Sequence, residues 1–383
     1  MGRTPTIARR ANSISAAALT PLSFDDLEGF ERDDCLAAYA AWRRSASAML
    51  GGPRPPRPGL AAPPALLAVA RAALDRDVTS NEAAREFFVS HFSPYRVLGD
   101  GESRRGFVTG YYEPLVRGAL APSAEFSAPV LGRPADLVSF DPGETPAGLD
   151  PALSGAQRDA AGRLSPYPDR ATIESAAAQG EFTPILWLED FVELFLTQVQ
   201  GSAQAMLPDG RRLRLAYDGR NGQPYTSIGR LLIEAGEIEA EDMSLVALKR
   251  WLRANGQKPG EAGRTLMQRN RSYVFFKLEE SFDPEEGPTG GAGIPLTALR
   301  SIAIDRTVWP YAAPFWIDAR LPWRDATLQP FHRLMIAQDT GSAIVGAARA
   351  DIFLGCGETA GWRAGDIRHA ADFAVLLPRG AAP

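Results

Sequence analysis

Cysteine and histidine are scarce in this chain of 383 residues, which has two cysteines and three histidines. Cys35 and Cys356 lie far apart, and His91, His332 and His369 show none of the spacings typical of zinc ligands. The sequence therefore predicts neither a structural nor a catalytic metal. It excludes a disulfide scaffold and leaves a single disulfide as an open alternative.

Long apolar runs are also missing. No segment reaches the roughly 18–20 apolar residues that a spanning helix needs, and the best one, 185–199, is interrupted by three carboxylates. At the N-terminus, three arginines precede a weakly apolar stretch, 14–22, which is a poor match to a secretory signal, and no cysteine lies early enough to carry a lipid. The N-terminus therefore shows no clear export signal, which leaves export open, and residues 1–20 are expected to be flexible.

The charge is nearly balanced, with 41 basic and 46 acidic residues and a net charge of −5. This balance argues against nucleic acid as the main partner. Hydrophobic residues make up 45% and charged residues 23%, which is ordinary for a globular protein and excludes a disordered or collagen-like chain. The length predicts two or three domains.

Local patterns divide the chain into a helical start and a β-rich remainder. Apolar spacing predicts helices that begin near Ser23, at 66–74 and after Ser80, with a proline-rich break at 53–58. The β-forming residues of 105–112 predict a strand. Prolines then punctuate 114–146, where short strands are expected.

The second half mixes hairpins with a short helical interlude. Segment 191–200 is ambiguous between helix and strand, whereas 207–217 predicts a hairpin about Pro208-Asp209-Gly210. Helices are predicted from Ser227 and from 242–244, and a strand at 273–276. From residue 294 to the end, the sequence predicts short strands and tight turns.

Three aspartates are candidates for acid–base chemistry. Asp305, Asp339 and Asp351 each follow an apolar stretch and precede a turn or another strand. Burial next to strand residues raises a carboxyl pKa, as a general acid near neutral pH requires. The alternative is that such aspartates only cap turns, as Asp before Thr-Gly commonly does.

Two further segments have the side chains of a sugar site. One is Thr109-Gly110-Tyr111-Tyr112, and the other is Gln198, Gln200 and Ser202 around Gly201. Aromatic rings stack on sugar faces, and amides bond to sugar hydroxyls. The alternative is an ordinary strand in which one tyrosine faces the core and the other faces outward.

Several motifs together resemble the lytic murein transglycosylase A family, from about residue 81 to the end. They occur in the family's order: TGYYEP (109–114), QVQGS (198–202), GRNGQPYTSIGRLL (219–232), SYVFF (272–276), and QDTGSAIVG with ADIFLGCGETAGWRAG (338–365). The last block resembles the family's C-terminal 3D domain, named for three aspartates.

The resemblance implies a mainly β fold with added helices. A double-psi β-barrel with N-terminal helices would comprise 21–113 together with 287–383. A smaller β-rich domain would be inserted at 114–286, with a glycan groove between the two.

The resemblance also implies an activity. The family cleaves the β-1,4 bond between N-acetylmuramic acid and N-acetylglucosamine in peptidoglycan, leaves a 1,6-anhydromuramic end, and uses no metal or cofactor. The expected partners are therefore peptidoglycan strands and not nucleic acid, with a monomer favoured. The expected location is the periplasm, with outer-membrane association as an option.

The site residues follow from the matching motifs. Asp351 matches the family's catalytic aspartate, Asp339 would assist it, and Asp305 would be more structural. The implied substrate-binding residues are Thr109, Gly110, Tyr111, Tyr112, Gln198, Gln200, Gly201, Ser202, Asp305 and Gly341. The chain departs from the family in having Asp339 and Asp351 twelve residues apart instead of about eleven, and Ser342 and Ala203 where glycines are usual.

Three alternatives stay open from the residues alone. The first is a hydrolase on the same barrel, with Asp339 and Asp351 as its acid–base pair. The second is a non-catalytic glycan-binding protein of the cell envelope. The third is a protein whose aspartates are only turn residues.

Overall fold

The computed structural model describes residues 19–99, 105–141 and 144–380. Its strands are β1 (Leu19–Pro21), β2 (Phe92–Val97), β3 (Gly106–Glu113), β4 (Leu115–Ala119), β5 (Ala128–Leu131), β6 (Leu137–Ser139), β7 (Gly155–Arg158), β8 (Leu164–Pro166), β9 (Pro184–Leu188), β10 (Ala203–Met206), β11 (Arg212–Arg220), β12 (Val274–Glu279), β13 (Ser301–Ile304), β14 (Pro314–Leu321), β15 (Gln329–Asp339), β16 (Arg349–Cys356) and β17 (Arg368–Pro378).

The α-helices of the described residues are α1 (Cys35–Gly51), α2 (Pro64–Leu74), α3 (Asn81–His91), α4 (Arg170–Ala178), α5 (Phe191–Gln200), α6 (Ile228–Glu234), α7 (Leu245–Ala254), α8 (Ala262–Arg269) and α9 (Gly357–Asp366). Two 3₁₀ turns, Phe24–Asp26 and Phe30–Arg32, precede α1. The prediction for residues 1–18 lies outside the described part of the chain.

A closed barrel of six strands forms the main sheet. The order is β17-β14-β15-β13-β16-β3, and β3 pairs back to β17 to close the ring, while β2 and β1 extend it on one side. Strand β16 lies between β13 and β3 and runs parallel to β3, so that Asp351 is opposite Thr109 and Phe353 is opposite Tyr111. The prediction of a mainly β fold with added helices is confirmed.

Helices α1 to α3 cover one face of this barrel through a common apolar core. Trp42, Phe87 and Phe88 are fully buried there and pack with barrel residues such as Trp316. The helical start was predicted too early. Gly29 adopts a left-handed φ of 82° and interrupts the helix expected from Ser23, so that α1 begins only after its Asp34 cap.

A second sheet is made from the middle of the chain. Its order is β12-β11-β10-β4-β9-β5, with the small sheet β6-β7-β8 beside it and helices α4 to α8 packed around. The predicted hairpin is β10–β11, and the predicted helices from Ser227 and Ser244 are α6 and α7, each capped by that serine. The ambiguous segment 191–200 is helix α5, which begins after its Asp190 cap and ends at Gly201 with φ 89°.

The C-terminal segment contains a helix that the pattern did not predict. Residues 294–383 were expected to form only strands and turns, but α9 follows β16 directly. The glycines of α9 weaken its helical sequence pattern, but they allow the helix to pack closely against β3. A Cβ on Gly361 would lie 2.5 Å from the Tyr112 ring, and a Cβ on Gly110 would lie 2.8 Å from Cα of Ala364. Small residues thus let α9 lie directly against β3.

Candidate active site

Asp351 lies on β16 in the barrel wall, with its side chain 20% exposed. Nη1 of Arg349 is 2.7 Å from its Oδ1, and the Thr109 hydroxyl donates a hydrogen bond to the same oxygen. Nη2 of Arg349 in turn donates to the Thr109 hydroxyl at 2.8 Å. The parallel register of β16 and β3 therefore builds a closed triangle of Asp351, Thr109 and Arg349.

The surroundings of Asp351 favour its protonated form. Burial raises the pKa of this carboxyl above its ordinary value, the Arg349 guanidinium opposes the rise, and the nearby charge of Asp339 adds to it. A carboxyl that keeps its proton at higher pH is suited to general acid catalysis. One oxygen is engaged by Thr109 and Arg349, while the side chain keeps some exposure for a substrate.

Asp339 ends β15 and is held by protein donors at both oxygens. Oδ1 accepts from the backbone N–H of Gly291 at 2.7 Å and lies 3.6 Å from Nη2 of Arg57. Oδ2 accepts from the Tyr111 hydroxyl at 3.0 Å. Asp339 is thus a firmly positioned neighbour of Asp351.

Tyr111 links Asp339 to β16, the strand that carries Asp351. Its ring contacts Phe353 on β16, with centroids 5.3 Å apart, and its hydroxyl donates to Asp339. Burial and the charges of Asp339 and Asp351 raise the pKa of Tyr111 well above its ordinary value. The phenol therefore stays protonated and acts as a hydrogen-bond donor.

Tyr112 faces the opposite way from Tyr111. Its ring is 8% exposed and packs in the barrel core against Gly361 on α9. Burial raises its pKa to about 12. Its backbone N–H donates to Oε1 of Gln200 at 3.2 Å, which joins α5 to β3. Of the two adjacent tyrosines, Tyr112 therefore has its ring in the core and Tyr111 has its ring beside the carboxylates.

Three further predicted site residues lie at the end of α5. Gln198 is buried between α4 and β12, where it accepts from Arg170 at 2.5 Å and donates to the Val274 carbonyl at 3.1 Å. Gly201 and the buried Ser202 follow it at the end of α5. None of these three has a hydrogen bond to Asp351 or Asp339 within the described residues.

Asp305 shapes a loop. It accepts from the backbone and the hydroxyl of Thr307 at 3.0 and 2.6 Å, and from the backbone N–H of Gly346 at 2.9 Å. It thereby ties the end of β13 to the loop before β16. Gly341 lies in that same loop, next to Ile344.

Two arginines of the site were missed by sequence reasoning. Arg349 precedes Asp351 by two residues, so the period of a strand could have placed both on one face. Arg57 comes from the proline-rich break, where no motif marks it. Its Nη1 donates to the Thr340 carbonyl at 2.5 Å, and its guanidinium lies 4.5 Å from the centre of the Tyr217 ring on β11.

One group of described residues could in principle hold a cation away from this site. Glu28, Asp318 and His332 each bring one ligand atom to within 4.8 Å of the others. Nε2 of His332 lies 3.2 Å from Oδ1 of Asp318. The absence of a metal stays a prediction.

Comparison with known proteins places this geometry in a family. The model of the "MltA specific insert domain" matches residues 107–277, and that of the "3D domain" matches 300–377. The crystal structure of a membrane-bound lytic murein transglycosylase from Agrobacterium tumefaciens is 36% identical with a TM-score of 0.82, covering 94% of this chain and 98% of that one. The chain belongs to the lytic murein transglycosylase A family.

Other members of the lytic murein transglycosylase A family are more distant. MltA from Neisseria gonorrhoeae is 27% identical with a TM-score of 0.75, over 95% of this chain and 93% of that one. Membrane-bound lytic murein transglycosylase A of Vibrio cholerae is 32% identical over 276 residues, which are 71% of this chain and 66% of that protein. The aligned part thus spans just under two thirds of that curated relative.

The family assignment covers the catalytic candidates but not every site residue. Thr109 and Tyr111 fall in the first matched range, and Asp339 and Asp351 in the second, whereas Arg57 precedes both. In the described part of the chain, no helix is long and apolar enough to cross a membrane.

Proposed function

We propose that this protein is a peptidoglycan lytic transglycosylase that cleaves the β-1,4 bond between N-acetylmuramic acid and N-acetylglucosamine. The observation that carries the proposal is Asp351, a largely buried carboxyl with a raised pKa in a member of the lytic murein transglycosylase A family. Thr109 and Arg349 hold one of its oxygens.

Asp351 acts twice in the proposed reaction. As an acid, it gives its proton to the glycosidic oxygen, the C1–O bond breaks, and the N-acetylglucosamine hydroxyl leaves. The Asp351 carboxylate then takes the proton of the muramoyl O6 hydroxyl, while O6 bonds to C1 of its own ring. Asp351 thus regains the proton that it gave in the first step, and the reaction forms a 1,6-anhydromuramoyl end without consuming water. Because the nucleophile belongs to the same sugar, its effective molarity is high.

The bonding of Asp339 supports this reaction over hydrolysis. A glycosidase needs a second carboxylate that is free to act as nucleophile or base. Both oxygens of Asp339 accept hydrogen bonds from protein groups, Tyr111 and Gly291, and Arg57 lies beside them. Because protein groups already engage both oxygens of Asp339, we assign both steps to Asp351.

We also propose a domain division and a binding place for the glycan. The barrel would comprise 21–113 with 287–383, as a double-psi barrel, and the middle sheet would belong to an inserted domain of 114–286. Glycan would bind in a groove between them, close to Tyr111, Gln200 and Asp351. The proposed location is the periplasm, in keeping with a cell-wall substrate.

Mass spectrometry of the fragments released from purified peptidoglycan tests the reaction. Non-hydrolytic cleavage yields muropeptides lighter by one water than lysozyme products, without a reducing muramic end. Lysozyme digestion of the same material is the control. Reducing ends as the main product would instead assign hydrolysis, and no release of fragments would favour a binding protein.

A further inference from the structure

A proline-rich segment, residues 53–60, crosses the molecule beside Asp339, and we call it the strap. It is fixed to the barrel at three points. The backbone N–H of Arg57 donates to the Gly291 carbonyl at 3.3 Å, the Tyr311 hydroxyl donates to the Arg57 carbonyl at 2.7 Å, and the Leu60 N–H donates to the Arg306 carbonyl at 3.1 Å. Backbone anchoring of this kind places the Arg57 side chain firmly.

The Arg57 guanidinium lies between the barrel and the middle sheet. It is 3.6 Å from Asp339 of β15 on one side and 4.5 Å from the Tyr217 ring of β11 on the other. Its side chain is 21% exposed, and Nε is buried without a hydrogen-bond partner. A partly desolvated cation therefore occupies the junction where we place the glycan.

Two more arginines belong to segments that the strap or Arg57 contacts. Arg220 ends β11, three residues after Tyr217, and donates to the Gln223 carbonyl at 2.8 Å. Arg306 lies against the strap, since a Cβ on Gly59 would be 3.0 Å from Cβ of Arg306. Burial lowers the pKa of Arg220, and the charges of Arg57 and Arg306 add to this effect.

Protein carboxylates balance only part of the charge of this cluster. Among the described residues, neither Arg220 nor Arg306 has a carboxylate within 4.0 Å, and Arg57 has only Asp339. Gathering like charges in a partly buried place costs free energy, which an anionic ligand recovers. Guanidinium groups are also the side chains that best match carboxylate geometry.

We propose that Arg57, Arg220 and Arg306 form an anion-binding subsite beside Asp339 that takes a carboxylate carried by the glycan strand. This inference rests on the proposed function, because peptidoglycan carries such groups next to the scissile bond. They are the carboxylates of the stem peptide, or the lactyl carboxylate of a muramic acid without its peptide. The subsite would let the protein prefer peptidoglycan over an uncharged β-1,4-glycan.

Binding measurements on the full chain test the subsite without turnover. In an Asp351→Asn background, calorimetry compares three ligands of equal length: strands with stem peptides, amidase-stripped strands with lactyl carboxylates, and neutral chito-oligosaccharides. The variants are Arg220→Gln and Arg306→Gln, with Arg220→Lys to restore charge. Arg54→Gln is the matched control, since Arg54 is an exposed strap arginine paired with Asp141 at 2.5 Å.

Arg220→Gln should weaken binding of at least one charged ligand by roughly ten- to a hundredfold, as expected for a charge-assisted hydrogen bond. Neutral ligand should change less than about twofold, Arg220→Lys should recover part of the loss, and Arg54→Gln should bind like its parent. The charged ligand whose binding weakens identifies the carboxylate that the subsite takes.

Equal losses for charged and neutral ligands, or no loss in both glutamine variants, would overturn the subsite. So would a background protein that binds neutral and charged strands equally well. Because these measurements use a variant without turnover, they fail or succeed separately from the product analysis that tests the reaction.

Discussion

Removing the charge of Arg349 should move the pH dependence of the reaction. Its Nη1 lies 2.7 Å from Oδ1 of Asp351, and it lowers the pKa of that carboxyl against the effect of burial. An opposite charge at such a distance typically lowers a carboxyl pKa by about 1–3. In Arg349→Gln, Asp351 should therefore hold its proton to higher pH.

The expected result is a shift of the alkaline limb of kcat/KM upward by about one pH unit or more. The maximal rate should fall, because a carboxyl with a higher pKa is a weaker acid. Rates of release of anhydromuropeptides across the pH range measure both effects. Arg349→Lys keeps the charge and should shift the limb less, as should Thr109→Val, which removes a hydroxyl but no charge.

Stability gives a second readout with a defined sign. The folded-state pKa of Asp351 is raised, so its contribution to stability is present at low pH and is lost as pH rises through that pKa. Without Arg349, the ionised carboxylate costs more free energy in the folded state, and stability at alkaline pH should fall further than in the wild type.

The pH profile of kcat/KM can refute this reasoning. If its alkaline limb stays in place or moves down in Arg349→Gln, the assignment of that limb to Asp351 is wrong.

Four further substitutions separate chemistry from packing. Asp351→Asn should keep its fold and lose activity by roughly 10⁴, since the amide can neither give nor take the proton; near wild-type turnover would move the assignment elsewhere. Gly110→Ala should destabilise by about 1–3 kcal/mol in thermal or urea unfolding, because its Cβ would lie 2.8 Å from Cα of Ala364. Gln198→Ala should cost about 1–3 kcal/mol because it removes one of the buried hydrogen-bond acceptors of Arg170, whereas Gln200→Ala should lower kcat/KM with a melting temperature within a few degrees of that of the wild type.

Local sequence patterns predicted many of the elements correctly. Serines at 227 and 244 marked α6 and α7, and the Pro-Asp-Gly turn marked the β10–β11 hairpin, because caps and turns depend on neighbouring residues. α9 was missed because its glycines lower helix propensity, while their benefit lies in contact with Tyr112 on a distant strand.

The site itself could not be assembled from local patterns. Asp351 and Thr109 are 242 residues apart, and only the parallel register of β16 and β3 brings them together. The motif resemblance located both residues but not their hydrogen bond. Arg57 had no signal at all, since its place depends on the strap reaching Gly291 and Tyr311 across the barrel.

The two carboxylates of the site show why matching a motif does not settle a role. Asp339 and Asp351 both lie on barrel strands near the same tyrosine, so residue type and position do not distinguish them. Their donors do. Asp339 has a backbone N–H, a phenol and a guanidinium on its two oxygens, whereas the donors of Asp351 converge on one oxygen and burial raises its pKa. In the reaction that we propose, this difference makes Asp351 the proton carrier and Asp339 a neighbour held in place by the protein, so that one reacting carboxyl is enough.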